Sequence, residues 1–420
     1  MATQRINCPE CGPSPTPHLL SWGTGLLDWI FTPSFRLMQK CVAWLAPVAR
    51  QLPGDRLAYY AMRLFSKLGI GSMVKELRPD HSLRTRALWE EAERRKIELH
   101  EYRFFSERTS ELFVARHGKK LFAFDGLPRP RGRASTGLSW MDDKAVVKQR
   151  FQAAGIPVPK GGTAVLVKRA LELFDEIGGT VIVKPRTGSR SRHTATNIST
   201  RSELVAAFYS AQKLCPWVVV EEHLPGSVFR ATVIGGKLVG VARRDVPQVT
   251  GDGRQTIAEL VAAENTHPHR QAGGVYTVLP GEAEATSELA RQGLTWQSVP
   301  QPGQVVTLDW KVNRGAGGVT VDVTDVTHAD NVVLFEKIAQ VVGDPIIGID
   351  FMIDAMHEPW HQRVPCGVIE CNSLPFIDLH HYPVSGTPRN AAGAIWDLVW
   401  PQVSEGARVT PAQQQAAEII

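Results

Sequence analysis

The feature that most constrains the fold is a pair of apolar runs that carry acidic residues and are joined by a polar, proline-containing loop. The first run, Ile346–Ile353, contains Asp350, and the second, 367–371, contains Glu370 and precedes Asn372. Residues two apart on a strand face the same way, so Glu370 and Asn372 project together, and Asp350 lies beside them if the runs form a hairpin. Unpaired carboxylates are costly to bury. The pattern therefore predicts a hairpin with oxygen ligands for Mg²⁺ or Mn²⁺; a solvated edge hairpin is the alternative.

The overall charge and the cysteine content exclude several classes of protein. The chain has 47 basic and 42 acidic residues among 420, a net charge of +5, without the clustered basic surface of a nucleic-acid binder. Its six cysteines are scattered, which argues against a disulfide framework and favours a reducing compartment. No uninterrupted apolar run reaches the roughly 20 residues needed to cross a bilayer. We therefore expect a cytoplasmic protein with no transmembrane segment and no nucleic-acid partner.

Residues 1–50 form a leader with two features that allow more than one interpretation. Cys8 and Cys11 form a CPECG knuckle, but a structural zinc site needs a second ligand pair, and none follows at a suitable spacing. The sequence alone therefore favours cysteines that bind no metal. The apolar segment 19–48 is interrupted by proline and charged residues. A packed helical segment is the expectation for it, and an interfacial amphipathic anchor is the alternative.

Changes in periodicity divide the rest of the chain into a small and a larger domain. The basic, proline-containing linker 128–136 is the clearest boundary between them. Before it, we predict helices over 56–68 and 82–96, a strand over 97–105 and a hairpin over 111–124. The predicted divisions are a helical or irregular leader over 1–50, a small α/β domain over 51–135, a larger α+β domain over 136–403 with parts 136–225 and 226–403, and a flexible tail over 404–420.

A lysine and a glycine-containing loop at the end of a buried strand suit a phosphate group. Lys184 nearly ends the apolar run TVIVKP, so its ammonium emerges at a strand end, where ligands commonly bind. The following loop, TGSRSRH, contains Gly188, Ser189 and cationic side chains that suit an anion. Lys144, on a helix predicted over 142–154, adds a second phosphate contact or is an exposed helical lysine. The sequence contains no Walker loop.

Two further stretches suit a nucleotide base and an anionic substrate. VVVEEHLPG is a strand that runs into a turn, where the backbone can read an adenine edge and Glu221 can accept from the exocyclic amine. Arg230 and Arg244 lie on the next hairpin, predicted to turn at Gly-Gly, and an inward-facing arginine needs an anion. The loop VNRGAGG places Asn313 beside glycines that let the backbone approach a substrate closely.

Taken together, these residues resemble the ATP-grasp superfamily of carboxylate–amine ligases, and within it the ATP-grasp part of cyanophycin synthetase and its relatives. The resemblance covers about residues 140–400, and the insert GDGRQTIAEL is its most specific motif. The other motifs include DDKAVVKQRFQAAGIPVPKG, IVKPRTG, VVEEHLPG, GIDFMID and VIECN. The resemblance implies an α/β fold of the α+β type, in which two α+β subdomains grip ATP. The small α/β domain and the leader precede it here.

The resemblance also implies a role for each candidate residue. The cofactors would be ATP and two Mg²⁺ ions, with Mn²⁺ as an alternative. Lys144, Lys184, Gly188 and Ser189 would hold the phosphates; Glu221, Glu222 and Leu224 would frame the adenine; Asp350, Glu370 and Asn372 would bind metal; Arg230, Arg244 and Asn313 would steady the substrate carboxylate and the acyl-phosphate. The implied reaction joins an amino acid or short peptide to an amine through that acyl-phosphate. A homo-oligomer is compatible with it.

The sequence departs from the family pattern at several positions. Ser191 and His193 stand where glycines are usual in the phosphate loop, and Val228 replaces an acidic residue that contacts the ribose. After the metal residues, Phe376 and Asp378 differ from the residues of relatives and are followed by two histidines; Asp378 suits an ammonium. The intact metal and phosphate residues favour a working ligase. The alternative is a non-catalytic ATP-binding protein on the same fold.

Overall fold

The computed structural model describes most of the chain between residues 54 and 401. The described residues are 54–104, 111–130, 140–141, 143–188, 192–271, 274–310, 312 and 314–401, with 8, 11, 16–19, 21–23 and 26 near the start. Among them, no helix combines the length and the apolar character needed to cross a membrane. Most of the leader, including most of the segment 19–48, the linker beyond residue 130 and the tail over 404–420 lie outside the described residues. So do Ser189, Ser191 and Asn313.

The first part of the described chain is an antiparallel sheet of four strands, in the order β1-β2-β3-β4, with two helices. Its elements are α1 (Gly54–Lys67), β1 (Gly71–Val74), α2 (Leu83–Arg94), β2 (Glu98–Phe104), β3 (Leu112–His117) and β4 (Lys120–Asp125). Ser82 caps α2, because its side chain accepts from the backbone N–H of Thr85. The predicted hairpin turns at Gly118, whose φ is 58°.

A second antiparallel sheet of four strands follows, in the order β5-β8-β6-β7. Its elements are α3 (Lys144–Ala153), β5 (Gly161–Ala164), α4 (Val167–Ile177), β6 (Val181–Pro185), β7 (Ala195–Ile198), α5 (Arg201–Gln212) and β8 (Val218–Glu222). Helices α4 and α5 cover one face of this sheet and form with it a separate hydrophobic core that includes Leu173, Val183 and Phe208. Side chains on the other face, which include Ile182, Lys184 and Glu221, line a cavity.

The remaining elements form a five-stranded sheet, a small insert and the last helices. They are β9 (Ser227–Ile234), β10 (Lys237–Asp245), β11 (Gln248–Thr250), α6 (Ile257–Asn265), α7 (Glu282–Arg291), β12 (Val305–Thr307), β13 (Val319–Asp322), α8 (Ala329–Val342), β14 (Ile346–Ile353), β15 (Gly367–Asn372), α9 (Asp378–His381) and α10 (Ala391–Val399). The five-stranded sheet has the order β13-β10-β9-β14-β15, and each recorded pairing is antiparallel. β9 and β10 turn at Gly235 and Gly236, both with positive φ, as the Gly-Gly pair predicted.

The two faces of the five-stranded sheet differ in chemistry because side chains alternate along each strand. One face packs Phe229, Ile349 and Phe351 against α3 and α8 in a large hydrophobic core. The other face carries Arg230, Asp350 and Glu370, which are direct neighbours across β9, β14 and β15. Burial of the apolar face sets the pairing register of the strands. The register in turn sets which polar side chains are neighbours on the opposite face.

The insert between β10 and β13 folds around its own small core. β11 pairs with β12, and α6 and α7 pack over them through residues such as Ile257, Leu289 and Val306. Thr256 and Glu259 form a reciprocal capping box at the start of α6. The motif GDGRQTIAEL therefore encodes a turn and a capped helix, which hold the insert beside the rest of the molecule.

The first sheet shares a continuous hydrophobic core with the end of the chain. Leu88 and Phe113 of the first part pack together with Ile346 and Trp396, and the Trp396 indole N–H donates to the Leu88 carbonyl at 3.1 Å. Arg84 also donates to the carbonyl of Leu374, just beyond β15, at 3.2 Å. The first part is thus packed against the strands that carry the acidic residues.

The strands and helices agree closely with the prediction where the periodic signal was long. β14 has the predicted bounds, and β15 extends one residue beyond the prediction. The α+β class is confirmed. Four short strands, β1, β5, β7 and β11, and the one-turn helix α9 were not predicted.

Two histidines that follow the acidic hairpin are part of the buried core. His380 Nε2 lies 2.7 Å from Thr232 Oγ1, and His381 Nε2 accepts from the backbone N–H of Ala392 at 3.0 Å. Burial lowers the pKa of His380 to about 3, and the nearby cations Arg230, Arg314 and Arg389 act in the same direction. Burial lowers the pKa of His381 to about 4, against the opposing charges of Asp378 and Glu91. Both rings are neutral at neutral pH.

Because these two buried histidines stay neutral in the folded state, we expect the folded protein to lose stability in mild acid. A histidine that stays neutral in the folded state takes up a proton on unfolding below pH about 6.5. Each such histidine therefore lowers the free energy of unfolding by about 1.4 kcal/mol for each pH unit below that value. His381→Gln should therefore show a smaller loss than the parent between pH 7 and pH 5, by about 2 kcal/mol, in urea unfolding. His357→Gln, at an exposed histidine, should match the parent. Equal losses in parent and His381→Gln would contradict the assignment.

Candidate active site

A cavity of about 710 Å³ lies between the second sheet and the five-stranded sheet, which is called the third sheet below. Lys184 and Glu221, on β6 and β8, line one wall, and Arg244 and Glu370, on β10 and β15, line the opposite wall. The insert adds a further side through residues that include Trp310. The volume falls within the range of about 300–1,000 Å³ that is usual for small-molecule sites. The cavity thus brings together motifs that are widely separated in sequence.

Glu221 is the centre of a buried ion-pair network on the first wall. Its side chain is almost fully buried; one oxygen contacts the Lys184 ammonium, and the other accepts from Lys148 Nζ at 2.7 Å. Burial raises the pKa of Glu221, but the two lysines outweigh that effect and hold it below its usual range. Its carboxylate is therefore a fixed anion that positions Lys184 in the cavity.

Lys144 is held beside the phosphate loop by the start of α3. Asp143 caps this helix and also accepts two hydrogen bonds from Arg186, at 2.8 and 2.7 Å, which joins the helix to the end of β6. The Lys144 ammonium then donates to the carbonyl of Gly188 at 2.8 Å. Burial lowers the pKa of Lys144, while the charge of Glu370 opposes the shift. Lys144 therefore lies within electrostatic reach of the opposite wall.

Two of the predicted adenine residues, Glu222 and Leu224, line the cavity together with Val228. Leu224 and Val228 are buried. Glu222 is tied to β5, because its carboxylate accepts from the backbone N–H of Lys160 at 2.7 Å. Leu224 and Val228 therefore give this part of the cavity lining an apolar character.

The predicted metal residues share one polar face of the third sheet. Asp350 lies directly opposite Glu370, and Asn372 lies two residues further along β15 on the same face. Arg230 binds Asp350 through Nε and Nη2 at 2.7 and 2.9 Å, and Arg244 Nη1 reaches the same carboxylate at 3.2 Å. Burial raises the pKa of Asp350, but these two arginines outweigh it and keep the carboxylate ionised.

The donor set fits a small divalent cation. Two carboxylates and an amide oxygen are the hard ligands that Mg²⁺ prefers. Glu370 and Asn372 are half-buried, and neither side chain makes a hydrogen bond or salt bridge within the described part of the chain. The Asp350 carboxylate has about four acceptor positions, so its arginine partners do not use its full capacity. All three predicted residues can therefore hold one site together.

A cluster of arginines extends from the metal residues. Arg244 is next to Asp350, whereas Arg243 pairs with Asp245 instead and is not part of the cluster. Arg314 binds the buried Asp378 at 2.5 Å. Within the described residues, one Nη1 donor each of Arg230 and Arg314 and the Asp378 Oδ1 acceptor are buried without a hydrogen-bond partner. Such unpaired groups are rare in folded proteins and mark a place for a polar ligand.

Several residues of the site were not identified from the sequence. Lys148 lies one helical turn after Lys144, and this spacing places both on one face of α3, so the signal was present. The pair Asp143–Arg186 and the pair Arg314–Asp378 depend on contacts between distant segments, which one sequence does not reveal. Ser189 and Asn313 lie outside the described part, and the roles of all the predicted site residues remain predictions.

Comparison with known proteins gives clear relatives for part of the chain. It is 32% identical to cyanophycin synthetase of Trichormus variabilis over 273 residues, which are 64% of this chain and 30% of the relative. It is 34% identical to cyanophycin synthetase of Synechocystis over 270 residues, 63% of this chain and 31% of the relative. The chain thus spans about a third of the length of the curated relatives that it matches. No family model matches it.

A second group of relatives is named for glutathione biosynthesis. The glutathione biosynthesis bifunctional protein of Mannheimia succiniciproducens is 31% identical over 271 residues, 63% of this chain and 36% of that protein. Among solved structures, a bifunctional glutathione synthetase from Pasteurella multocida superposes with a TM-score of 0.56 at 24% identity, over 76% of this chain and 43% of that one. The structural likeness extends beyond the length matched by sequence, and it concerns the fold.

Proposed function

Because the chain has the ATP-grasp fold and is related to cyanophycin synthetase over about two thirds of its length, we propose that it is an ATP-dependent ligase joining a carboxylate to an amine. The observation that carries the proposal is the cavity itself. Lys184 of the second sheet and Lys144 of α3 face Glu370, which has no partner among the described residues, across a space of ligand size. A nucleotide phosphate chain and its metal ions need this combination of charges.

We assign the phosphate end to Lys184 and Lys144. Lys184 is positioned by the buried Glu221, and Lys144 is positioned through the cap at Asp143. Their ammonium groups would contact phosphate oxygens as point charges. The base would occupy the apolar end at Leu224 and Val228. This orientation directs the γ-phosphate toward the third sheet.

Asp350, Glu370 and Asn372 would hold Mg²⁺, and we propose two ions in keeping with the ATP-grasp resemblance. When bound, the metal neutralises charge on the phosphate as the γ-phosphoryl group moves to the substrate carboxylate. Arg230 and Arg244 keep Asp350 ionised and oriented. The unpaired Nη1 of Arg230 would donate to the anionic substrate.

The substrate end suits a molecule with both a carboxylate and an ammonium. Arg230 and Arg314 offer unpaired donors for a carboxylate or acyl-phosphate, and Asp378 offers an unpaired acceptor for an ammonium. We therefore propose an amino acid or a short peptide as one substrate. A neutral amine then attacks the acyl-phosphate and displaces phosphate, which gives an amide, ADP and inorganic phosphate.

A phosphate-release screen tests the proposal and separates it from non-catalytic ATP binding. Purified protein with ATP and Mg²⁺ would be offered pairs of amino acids and dipeptides. The proposal predicts phosphate release that requires both a carboxylate and an amine, with an amide product of the combined mass less water. ATP binding by calorimetry without turnover across the panel would favour the non-catalytic alternative.

A further inference from the structure

The four side chains of Cys8, Cys11, His18 and His193, here called the Cys2His2 cluster, converge at one point beside the second sheet. Their ligand atoms, two sulfurs and two imidazole nitrogens, all lie within 4.8 Å of one another. The sequence suggested no second ligand pair for the CPECG knuckle. The structure supplies it from His18 and from His193, which lies 182 residues beyond Cys11.

Four of the six distances between the ligand atoms are close to those of a tetrahedral zinc site. Zinc–sulfur bonds of about 2.3 Å and zinc–nitrogen bonds of about 2.0–2.1 Å place sulfur about 3.6 Å from nitrogen and the two nitrogens about 3.3 Å apart. His193 Nε2 lies 3.6 Å from Cys8 Sγ and 3.5 Å from Cys11 Sγ. The His18 and His193 Nε2 atoms are 3.3 Å apart, and Cys11 Sγ is 3.3 Å from His18 Nε2.

The surroundings of the cluster are also those of a metal site. The backbone N–H of Cys11 donates to the Cys8 carbonyl at 3.1 Å, which closes the knuckle. His193 Nδ1 lies 3.1 Å from Ser210 Oγ on α5, and this hydrogen bond leaves Nε2 aimed at the cluster. Cys11 and His193 are buried, at 4% and 3% exposure. A closed set of two thiolates and two imidazoles is a usual structural zinc environment.

The backbone of His193 gives an independent indication. Its φ is 50°, in the left-handed region where a side chain costs about 1 kcal/mol relative to glycine. A histidine in this conformation therefore needs a compensating interaction, and the imidazole makes its contacts with the knuckle and with Ser210.

We propose that the Cys2His2 cluster is a structural zinc site that fastens the N-terminal segment to the wall of the cavity. His193 lies between Arg192 and Thr194, which both line the cavity. The metal would fix the segment that leads from the phosphate loop into β7. This role is independent of the chemistry performed in the cavity, and it takes zinc in preference to the oxygen-seeking Mg²⁺.

Metal analysis of the purified full chain tests the proposal. One zinc ion per chain is expected by plasma mass spectrometry, and Co²⁺ substitution should give the intense visible bands of a tetrahedral site with thiolate charge transfer. Cys8→Ser and His193→Gly should each lose the zinc, although glycine eases the backbone at 193. Ser210→Ala should keep the ligands but weaken zinc affinity by about 10–100-fold in competition with a chelator.

Cys366→Ser is the matched control, because Cys366 is a buried thiol that contacts the Trp360 carbonyl away from the cluster. It should retain the zinc content of the parent. Zinc removal by a chelator should also increase amide hydrogen exchange around residues 192–198. The proposal is overturned if the parent protein holds no more zinc than His193→Gly, if Co²⁺ gives the weak spectrum of an octahedral site, or if Cys8 and Cys11 are found as a disulfide.

Discussion

Glu370→Gln should reduce ATP-dependent phosphate release by about 10²–10³-fold, because it removes the charge of a proposed metal ligand on which transfer of the phosphoryl group would depend. Glu370 is suited to this test since its carboxylate faces the cavity and makes no hydrogen bond or salt bridge in the described part of the chain. Glutamine keeps the size and one oxygen of the side chain. The free energy of unfolding should therefore change by no more than about 0.5 kcal/mol.

Glu358→Gln is the matched control for this experiment. Glu358 lies in the loop between β14 and β15 and pairs with Arg363 at the surface. Its substitution removes the same charge from the same hairpin without touching the cavity, so activity should stay near that of the parent. Full activity in Glu370→Gln would remove Glu370 from the metal site and leave the proposed platform without one of its three ligands.

Arg230→Met should cost about 3–5 kcal/mol of stability, the second large effect. Arg230 and Asp350 are both 3% exposed and make two hydrogen bonds to each other. Removing Arg230 leaves the buried Asp350 carboxylate with the 3.2 Å contact to Arg244 and without its two shorter hydrogen bonds, so most of its charge compensation is lost, which is far more costly than removing both partners. The double variant Arg230→Met, Asp350→Asn should recover part of the loss. Urea unfolding of the parent, both single variants and the double variant measures this coupling.

Arg169→Met provides the comparison for an exposed pair. Arg169 binds Glu172 and Glu176 on the surface of α4, and such pairs contribute less than about 1 kcal/mol. A cost for Arg230→Met as small as that of Arg169→Met would mean that Asp350 is stabilised by other groups. The interpretation of the arginines as the counter-charge of the metal carboxylate would then be wrong.

The sequence was sufficient for the parts of the site that follow from periodicity. Asp350, Glu370 and Asn372 share a face because strand side chains alternate, and the hairpin that pairs them was predicted from the apolar runs alone. Lys184 was placed at a strand end because it nearly ends the apolar run TVIVKP. These inferences needed only the local geometry of a strand. The observed register of β14 and β15 agrees with them.

The sequence was insufficient where the fold joins distant segments. β5 reads GGTA, which is too short and too rich in glycine to show a strand period. Glu221 was expected to face adenine through its carboxylate, but the structure shows that carboxylate between Lys184 and Lys148. His380, conspicuous in the sequence, is a neutral core residue. Each of these outcomes depends on packing between elements that are far apart in the chain. A single sequence does not show which of these elements pack together.

The Cys2His2 cluster also depends on contacts between segments that are far apart in the sequence. A knuckle at Cys8 and Cys11 lacks partners within ordinary spacing, and His193 appeared only as a departure from a glycine pattern. His193 lies beside Cys8, Cys11 and His18, and its Nδ1 is 3.1 Å from Ser210 Oγ on α5. A residue that weakens a family resemblance can therefore be the residue that adds a site.

The proposed reaction requires that the carboxylate is activated by phosphorylation before the amine attacks. Once the screen identifies a substrate, its carboxylate would be labelled with heavy oxygen and the released inorganic phosphate analysed by mass spectrometry. One labelled oxygen should be transferred to phosphate for each amide formed, because the acyl-phosphate breaks at the acyl carbon. Amide formation with unlabelled phosphate would rule out an acyl-phosphate.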